Sequence, residues 1–227
     1  SDRVYVRQME WEAAQSVWIW RDLSASMRWR SSPDHPDKRE RADLLCLALT
    51  ALLIRGGEHV SLIGSGLRPA TGRASLTRLA TLIERGEPPG GDLPPFVTLP
   101  RNAQIVLVGD FLAPLEEIDR LVRRYVESGV KGLLLQVLDP AEETLPYTGR
   151  VRFEGLEGED SWLLSRTEGV RGEYQARLEA QRAGLQAIAQ TAGWMFTEHR
   201  TDRPPGAALL SLYTALTEAP RLYRRRP

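Results

Sequence analysis

An open, doubly wound α/β sheet is the fold class that this sequence predicts, and three observations predict it. Short apolar runs alternate with helix-length segments along most of the 227 residues. Two runs, Ile105-Val106-Leu107-Val108 and Leu133-Leu134-Leu135, are apolar at every position, as parallel strands covered on both faces are. Glycine closes several of the helical segments in the position that favours a left-handed stop. Right-handed crossovers between such strands place helices on both faces of a mostly parallel sheet.

Taken in order, residues 3–8 alternate polar and apolar side chains more than the other runs and suit an edge; one antiparallel edge strand is expected. Strands follow at Ser16–Arg21, 59–64, Gln104–Gly109, 132–138 and 194–199. On the first of these Trp18 and Trp20 share a face and are expected to pack under a helix. Residues 37–55 form a helix with leucine and alanine almost all round, and Gly56-Gly57 stops it. Residues 75–85 repeat apolar side chains at Leu76, Leu79, Leu82 and Ile83 and end at Gly86. Residues 114–128 open on proline, close at Gly129, and carry the stripe Leu115, Ile118, Leu121, Val122 and Tyr125. Residues 173–192 and 206–217 supply the last helices. The stretch 87–100 holds five prolines and two glycines, so it reads as a loop. Residues 142–165 contain two short β-like runs, 151–153 and 162–164. No internal repeat is visible, and one domain over 1–227 is the economical reading. The chain begins Ser1-Asp2 without methionine, so a fragment of something longer is expected.

Composition excludes several classes. Thirty basic residues balance thirty acidic ones, which argues against a wholly basic nucleic-acid surface. The one cysteine, Cys46, cannot close an internal disulfide, which fits a reducing, cytoplasmic setting. Set among Leu44, Leu45 and Leu47, it reads as a buried apolar side chain rather than a nucleophile. The longest mainly apolar run, residues 44–54, falls short of the ~20 residues of a membrane helix. Gly64-Ser65-Gly66 lacks the rest of a dinucleotide loop. His35, His59 and His199 are scattered without zinc-type spacing.

The chemistry gathers at strand ends. The strand Ser16–Arg21 runs into Asp22-Leu23-Ser24-Ala25-Ser26, and Gln104–Gly109 runs into Asp110. Open α/β sheets bind ligands beyond the carboxyl ends of strands whose crossovers diverge. If these two strands are neighbours, two carboxylates and two hydroxyls converge. All are hard oxygen donors of the kind Mg²⁺ takes, with only one or two carboxylates among them. The alternative is that Asp22 and Ser24 merely cap the next helix. Arg21 either ion-pairs with the carboxylates or points to solvent, and Asp139 and Asp202 read as turn or cap residues. Trp29 between Arg28 and Arg30 suits a protein-binding hot spot or a buried loop anchor. The tail, residues 221–226, carries four arginines and reads as solvated.

Asp22-x-Ser24-x-Ser26 with a strand-end Asp110 resembles the metal-ion-dependent adhesion site of von Willebrand factor A domains, a Rossmann-like fold. That resemblance implies Asp22, Ser24, Ser26 and Asp110 as metal ligands. Gly90-Gly91-Asp92 stands where the family carries a threonine loop, so Asp92 is a substitute ligand, or else the site is vestigial. Thr71 is a less fitting substitute, because it precedes the helix. Tyr5-Val6-Arg7-Gln8, Leu23-Ser24-Ala25-Ser26-Met27, Lys38-Arg39-Glu40-Arg41-Ala42, Gly109-Asp110-Phe111-Leu112, Leu138-Asp139-Pro140-Ala141-Glu142 with Leu145-Pro146, and Arg200-Thr201-Asp202 resemble the bacterial domain of unknown function 58 family. Its genes commonly neighbour those of MoxR-type AAA+ ATPases. The resemblance implies a protein-interaction module holding Mg²⁺ (or Mn²⁺ or Ca²⁺), working with a MoxR-type ATPase or its client through an acidic side chain. A metal-assisted phosphoesterase and a structural interaction domain with a vestigial metal site are the competing expectations, and neither nucleic acid nor membrane is indicated as a partner.

Overall fold

Parallel strands have no short route back to one another, so each must be followed by a crossover, and the chain obeys this throughout. The computed structural model describes residues 16–88, 90–147, 151–153, 162–164 and 168–218. Strands β1 (Ser16–Arg21), β2 (His59–Leu62), β3 (Gln104–Gly109), β4 (Lys131–Leu138) and β7 (Met195–Arg200) form one sheet in the order β2-β1-β3-β4-β7, parallel throughout. Helices α1 (Lys38–Arg55), α2 (Arg73–Arg85), α3 (Leu115–Glu127), α4 (Pro140–Thr144), α5 (Glu168–Ala192) and α6 (Gly206–Glu218) fill the connections, while β5 (Val151–Phe153) and β6 (Trp162–Leu164) pair as a separate antiparallel hairpin.

The α/β class and the parallel sheet are as the sequence predicts; the antiparallel edge strand is not. Both edges of the described sheet, β2 and β7, run parallel to their neighbours, and residues 3–8 lie outside the described residues. Beside β2 the returning chain makes one antiparallel bridge, Val60 with Ala70. Gly64 and Gly66, both at positive φ, and then Pro69 occupy the return. A proline offers no N–H to a ladder, which stops the pairing there.

Alternate side chains of the strands feed two apolar layers. Val106, Val108, Leu133 and Leu135 pack with Leu45, Leu49 and Leu53 of α1 and Leu212 of α6. Ile105, Leu107 and Leu134 pack with Ile118 and Val122 of α3 and Leu185 of α5. Trp20 and Trp18 do share the second layer with residues of α3 and α5, and residues of the proline-rich loop, Leu99 with Leu93, Phe96 and Val97, join them there. Helix α1 turns a stripe inward rather than its whole circumference, leaving Leu44 49% exposed. Asp37 caps α1, accepting from Glu40 N at 2.7 Å while Glu40 accepts from Asp37 N at 3.1 Å. Cys46 is buried, as expected, and burial pushes its thiol up to about 12. No helix of the described residues is long and apolar enough to cross a membrane.

Candidate functional site

β1 and β3 are neighbours, and the chain leaves them for opposite layers, β1 towards α1 and β3 towards α3. Open α/β sheets have a crevice beyond such carboxyl ends, and here buried polar side chains fill it. Asp22 N donates to Val108 O at 2.8 Å, carrying the β1–β3 pairing one residue past the strand. Its side chain then lies over Gly109: a Cβ there would fall 2.8 Å from Asp22 Cβ and 3.0 Å from Oδ2. Glycine at 109 is what lets the carboxylate seat itself so close to the β3 backbone.

From Asp22 a chain of contacts runs across the crevice. Ser24 N donates to Asp22 Oδ1 at 2.8 Å, and the hydroxyls of Ser24 and Ser26 lie 2.9 Å apart. Ser26 Oγ donates to Asp110 Oδ2 at 2.7 Å. Lys38 Nζ, from the first residue of α1, donates to the same Oδ2 at 2.9 Å and to Glu142 Oε1 of α4 at 2.5 Å. Gln136 Nε2 of β4 donates to the main-chain oxygen of Asp110 at 2.9 Å. Asp22, Asp110 and Lys38 are each at most 1% exposed. Three buried oxygens, Asp22 Oδ2, Asp110 Oδ1 and Gln136 Oε1, have no hydrogen-bond partner among the described residues.

Burial, then the charge of Asp110, and last the close approach of the two carboxyl groups push the Asp22 carboxyl up to about 7, against the opposing hydrogen bonds from Ser24. For Lys38 burial alone would lower the pKa, but the carboxylates of Glu142 and Asp110 outweigh it and hold the ammonium above its ordinary value. Glu142 is raised by burial, against the pull of Lys38. The cluster thus sets three carboxyl groups against one ammonium, in a place water barely reaches. Two carboxylates and two hydroxyls, with orphaned oxygens on both carboxylates, fit a hard divalent cation as a donor set. Among the described residues no three His, Cys, Asp or Glu side chains gather into a metal-holding group, so the hydroxyls are needed to complete such a set.

Asp22, Ser24, Ser26 and Asp110 are therefore brought together, as the strand ends imply. Asp92 is exposed on the proline-rich loop and takes no part in this chain of contacts; Thr71, also exposed, donates to Ile54 O at 3.4 Å. Arg28 and Arg30 are exposed and Trp29 half-buried. Trp29 N donates to Ser26 O and its carbonyl accepts from Lys38 N, so its main chain straps the serine loop to the start of α1. Arg21 neither joins the carboxylates nor faces solvent. It ion-pairs with Asp43 of α1 and donates to Ile83 O and Glu87 O at the end of α2, because the pleat sends it to the opposite side from Asp22. Asp139 caps α4, accepting from Ala141 N at 2.8 Å, and also takes Ser31 N at 3.0 Å. Asp202 pairs with Arg200. His199 sits against Arg41 Nη1 at 2.9 Å, apart from the cluster.

Lys38, Glu142 and Gln136 are the site residues that sequence reasoning did not single out. A lysine at the first position of a helix opposes the macrodipole, which favours negative charge there. That misfit was the available signal for Lys38.

Two solved structures share the arrangement of the chain. One is the conserved hypothetical protein BatB from Bacteroides thetaiotaomicron, with a TM-score of 0.54 and 14% identity over 92% of this chain and 100% of that one. The other is an aerotolerance-related membrane protein from Bacteroides fragilis NCTC 9343, with a TM-score of 0.55 and 15% identity over 90% of this chain and 100% of that one. At such identity the likeness speaks to the fold. A search of curated proteins returns no match. Residues 1–184 match the family model described as "Protein of unknown function DUF58", and the chain belongs to that family.

Proposed function

We propose that this chain is a protein-interaction module whose strand-end cluster takes a divalent cation, Mg²⁺ with Mn²⁺ or Ca²⁺ as substitutes, and so receives an acidic side chain of a partner. The observation that carries this reading is the pair of buried, unpartnered oxygens, Asp22 Oδ2 and Asp110 Oδ1, on a contact chain with the Ser24 and Ser26 hydroxyls. A buried carboxylate oxygen without a donor is costly, and a structure keeps one where something is meant to meet it. Asp22, Ser24, Ser26 and Asp110 would hold the ion, which supplies positive charge and an open coordination position for a carboxylate.

The chain's own residues contribute the rest. Ser24 N fixes one oxygen of Asp22, Gln136 fixes the main chain of Asp110, and Gly109 allows the two strands' ends to close up. Exposed Arg28 and Arg30, half-buried Trp29, and Leu112, which is 55% exposed two residues after Asp110, supply basic and apolar surface close by in sequence. Such a surface suits an acidic partner. By the family resemblance that partner is a MoxR-type AAA+ ATPase or the client it remodels.

The test is partner affinity with and without EDTA, for wild type and Asp22→Ala, alongside calorimetric titration with Mg²⁺. The variant is expected to keep its circular-dichroism spectrum, to lose the Mg²⁺ heat, and to bind partner more than about tenfold more weakly. Partner affinity unchanged by either EDTA or the substitution would remove the cation from the reading.

A further inference from the structure

Lys38 has no place in the adhesion-site pattern, yet it is as deeply buried as the carboxylate of Asp110 that it meets. It lies at the N-terminus of a helix, where its charge is opposed, and it is 1% exposed, where an ammonium is expensive. Nothing about packing requires an ammonium there. What compensates it is electrostatic: Asp110 Oδ2 at 2.9 Å and Glu142 Oε1 at 2.5 Å. Those two contacts leave Asp110 Oδ1 and Asp22 Oδ2 bare. The ammonium thus neutralises one side of the oxygen set and leaves the other open.

We infer that Lys38 is a resident cation: it holds the Asp110 side of the cluster together without a metal, and it weakens any divalent ion that uses the same carboxylate. The inference rests on the reading that this oxygen set accepts a divalent cation. It adds that the affinity is set low by a charge built into α1. A like charge in hydrogen-bond contact with a ligand oxygen repels an incoming ion strongly, because little water is present to screen it. Removing that charge, while keeping the carboxylates, should turn a weak site into a stronger one. It should also make the fold depend on the metal that replaces the ammonium.

The experiment compares Mn²⁺ uptake by wild type, Lys38→Met and Lys38→Gln, read from the electron paramagnetic resonance signal of free Mn²⁺. Thermal melts of each chain in EDTA and in Mn²⁺ accompany it. The neutral variants are expected to bind Mn²⁺ at least about tenfold more tightly than wild type. They should melt below wild type in EDTA and regain the difference in millimolar Mn²⁺, a larger gain than wild type shows. Gln keeps hydrogen-bond donors for Asp110 and Glu142 if Met does not fold in EDTA.

Equal or weaker Mn²⁺ binding by both variants overturns the inference. So does failure of both to fold with Mn²⁺ present, since the ion would then be unable to take over from the ammonium. If wild type takes up no Mn²⁺ while a variant does, the inference stands and the metal-dependent reading of the native chain falls. If wild type binds and neither variant binds more tightly, the outcome is reversed. Uptake by none of the three chains removes both.

Discussion

Glu142 and Glu143 are consecutive residues of α4, yet they face two polar clusters of opposite character. Glu142 meets Lys38, which reaches on to Asp110 in a crevice where both partners are 1% exposed. Glu143 meets Arg182 and Arg200, whose side chains are 24% and 31% exposed beside a cavity of about 350 Å³ at the β7 edge of the sheet. Arg200 also forks onto Asp202, and Arg182 lies 3.2 Å from Glu198. In the arginine cluster the charges are shared out among themselves and with solvent, and the buried atom left without a hydrogen bond among the described residues is a donor, Arg182 Nε. At the lysine cluster carboxylate oxygens are left over. The unmet atoms of the two clusters are thus of opposite kind, a donor beside the cavity and acceptors beside Lys38.

Truncating each glutamate is the sharpest way to break this contrast. Glu142→Ala strands a buried ammonium and undoes the capping bond to Asp139 N, and should cost about 3 kcal/mol in urea denaturation. Glu143→Ala, among solvated arginines, should cost about 1 kcal/mol or less. Equal losses would mean that the two clusters do the same job.

The clusters should also titrate in opposite senses. Asp22 carries a folded pKa of about 7 against 3.8 when free. The folded state therefore holds the extra proton between those values, and stability present below the lower one is lost as pH rises through the upper. In EDTA, Asp22→Asn keeps an acceptor for Ser24 N and no longer ionises. Calorimetric melts should find it more stable than wild type near pH 8 by on the order of 2 kcal/mol, with the gap closing towards about pH 4.

His199 runs the other way: burial, and then Arg41, lower it from 6.5 to about 4. The unfolded chain binds the extra proton in that window, so stability complete above it is lost as pH falls through it. His199→Gln can still accept from Arg41 and should flatten this acid limb by on the order of 1 kcal/mol, discounted for the solvent in the adjoining cavity. An unchanged acid limb in that variant would show that His199 is not its source.

The sheet was legible because β3 and β4 are apolar at nearly every position, a pattern that admits few folds. Asp22 and Asp110 were legible as a pair because strand ends are fixed once neighbouring strands are known. Lys38 and Glu142 were not, since their meeting depends on how α1 and α4 approach the sheet across 104 residues of sequence. Local patterning does not encode that approach. The share of the proline-rich loop in the second layer was not legible for a related reason. A proline-rich segment shows no periodicity, yet Leu93, Phe96 and Val97 bury apolar surface as a helix would.

Phe111, immediately after Asp110, holds a left-handed backbone at φ 54 and is 1% exposed. A bulky residue adopts that conformation only when its surroundings over-determine it. Here its ring is sunk in the second apolar layer, and Gln181 of α5 donates to the carbonyls of Phe111 and Ala113 at 2.7 and 3.0 Å. The bend behind Asp110 is therefore held by these contacts, and with it the place of the carboxylate. A partner bound as proposed would find its aspartate already in place, and little freedom would be lost in arranging it.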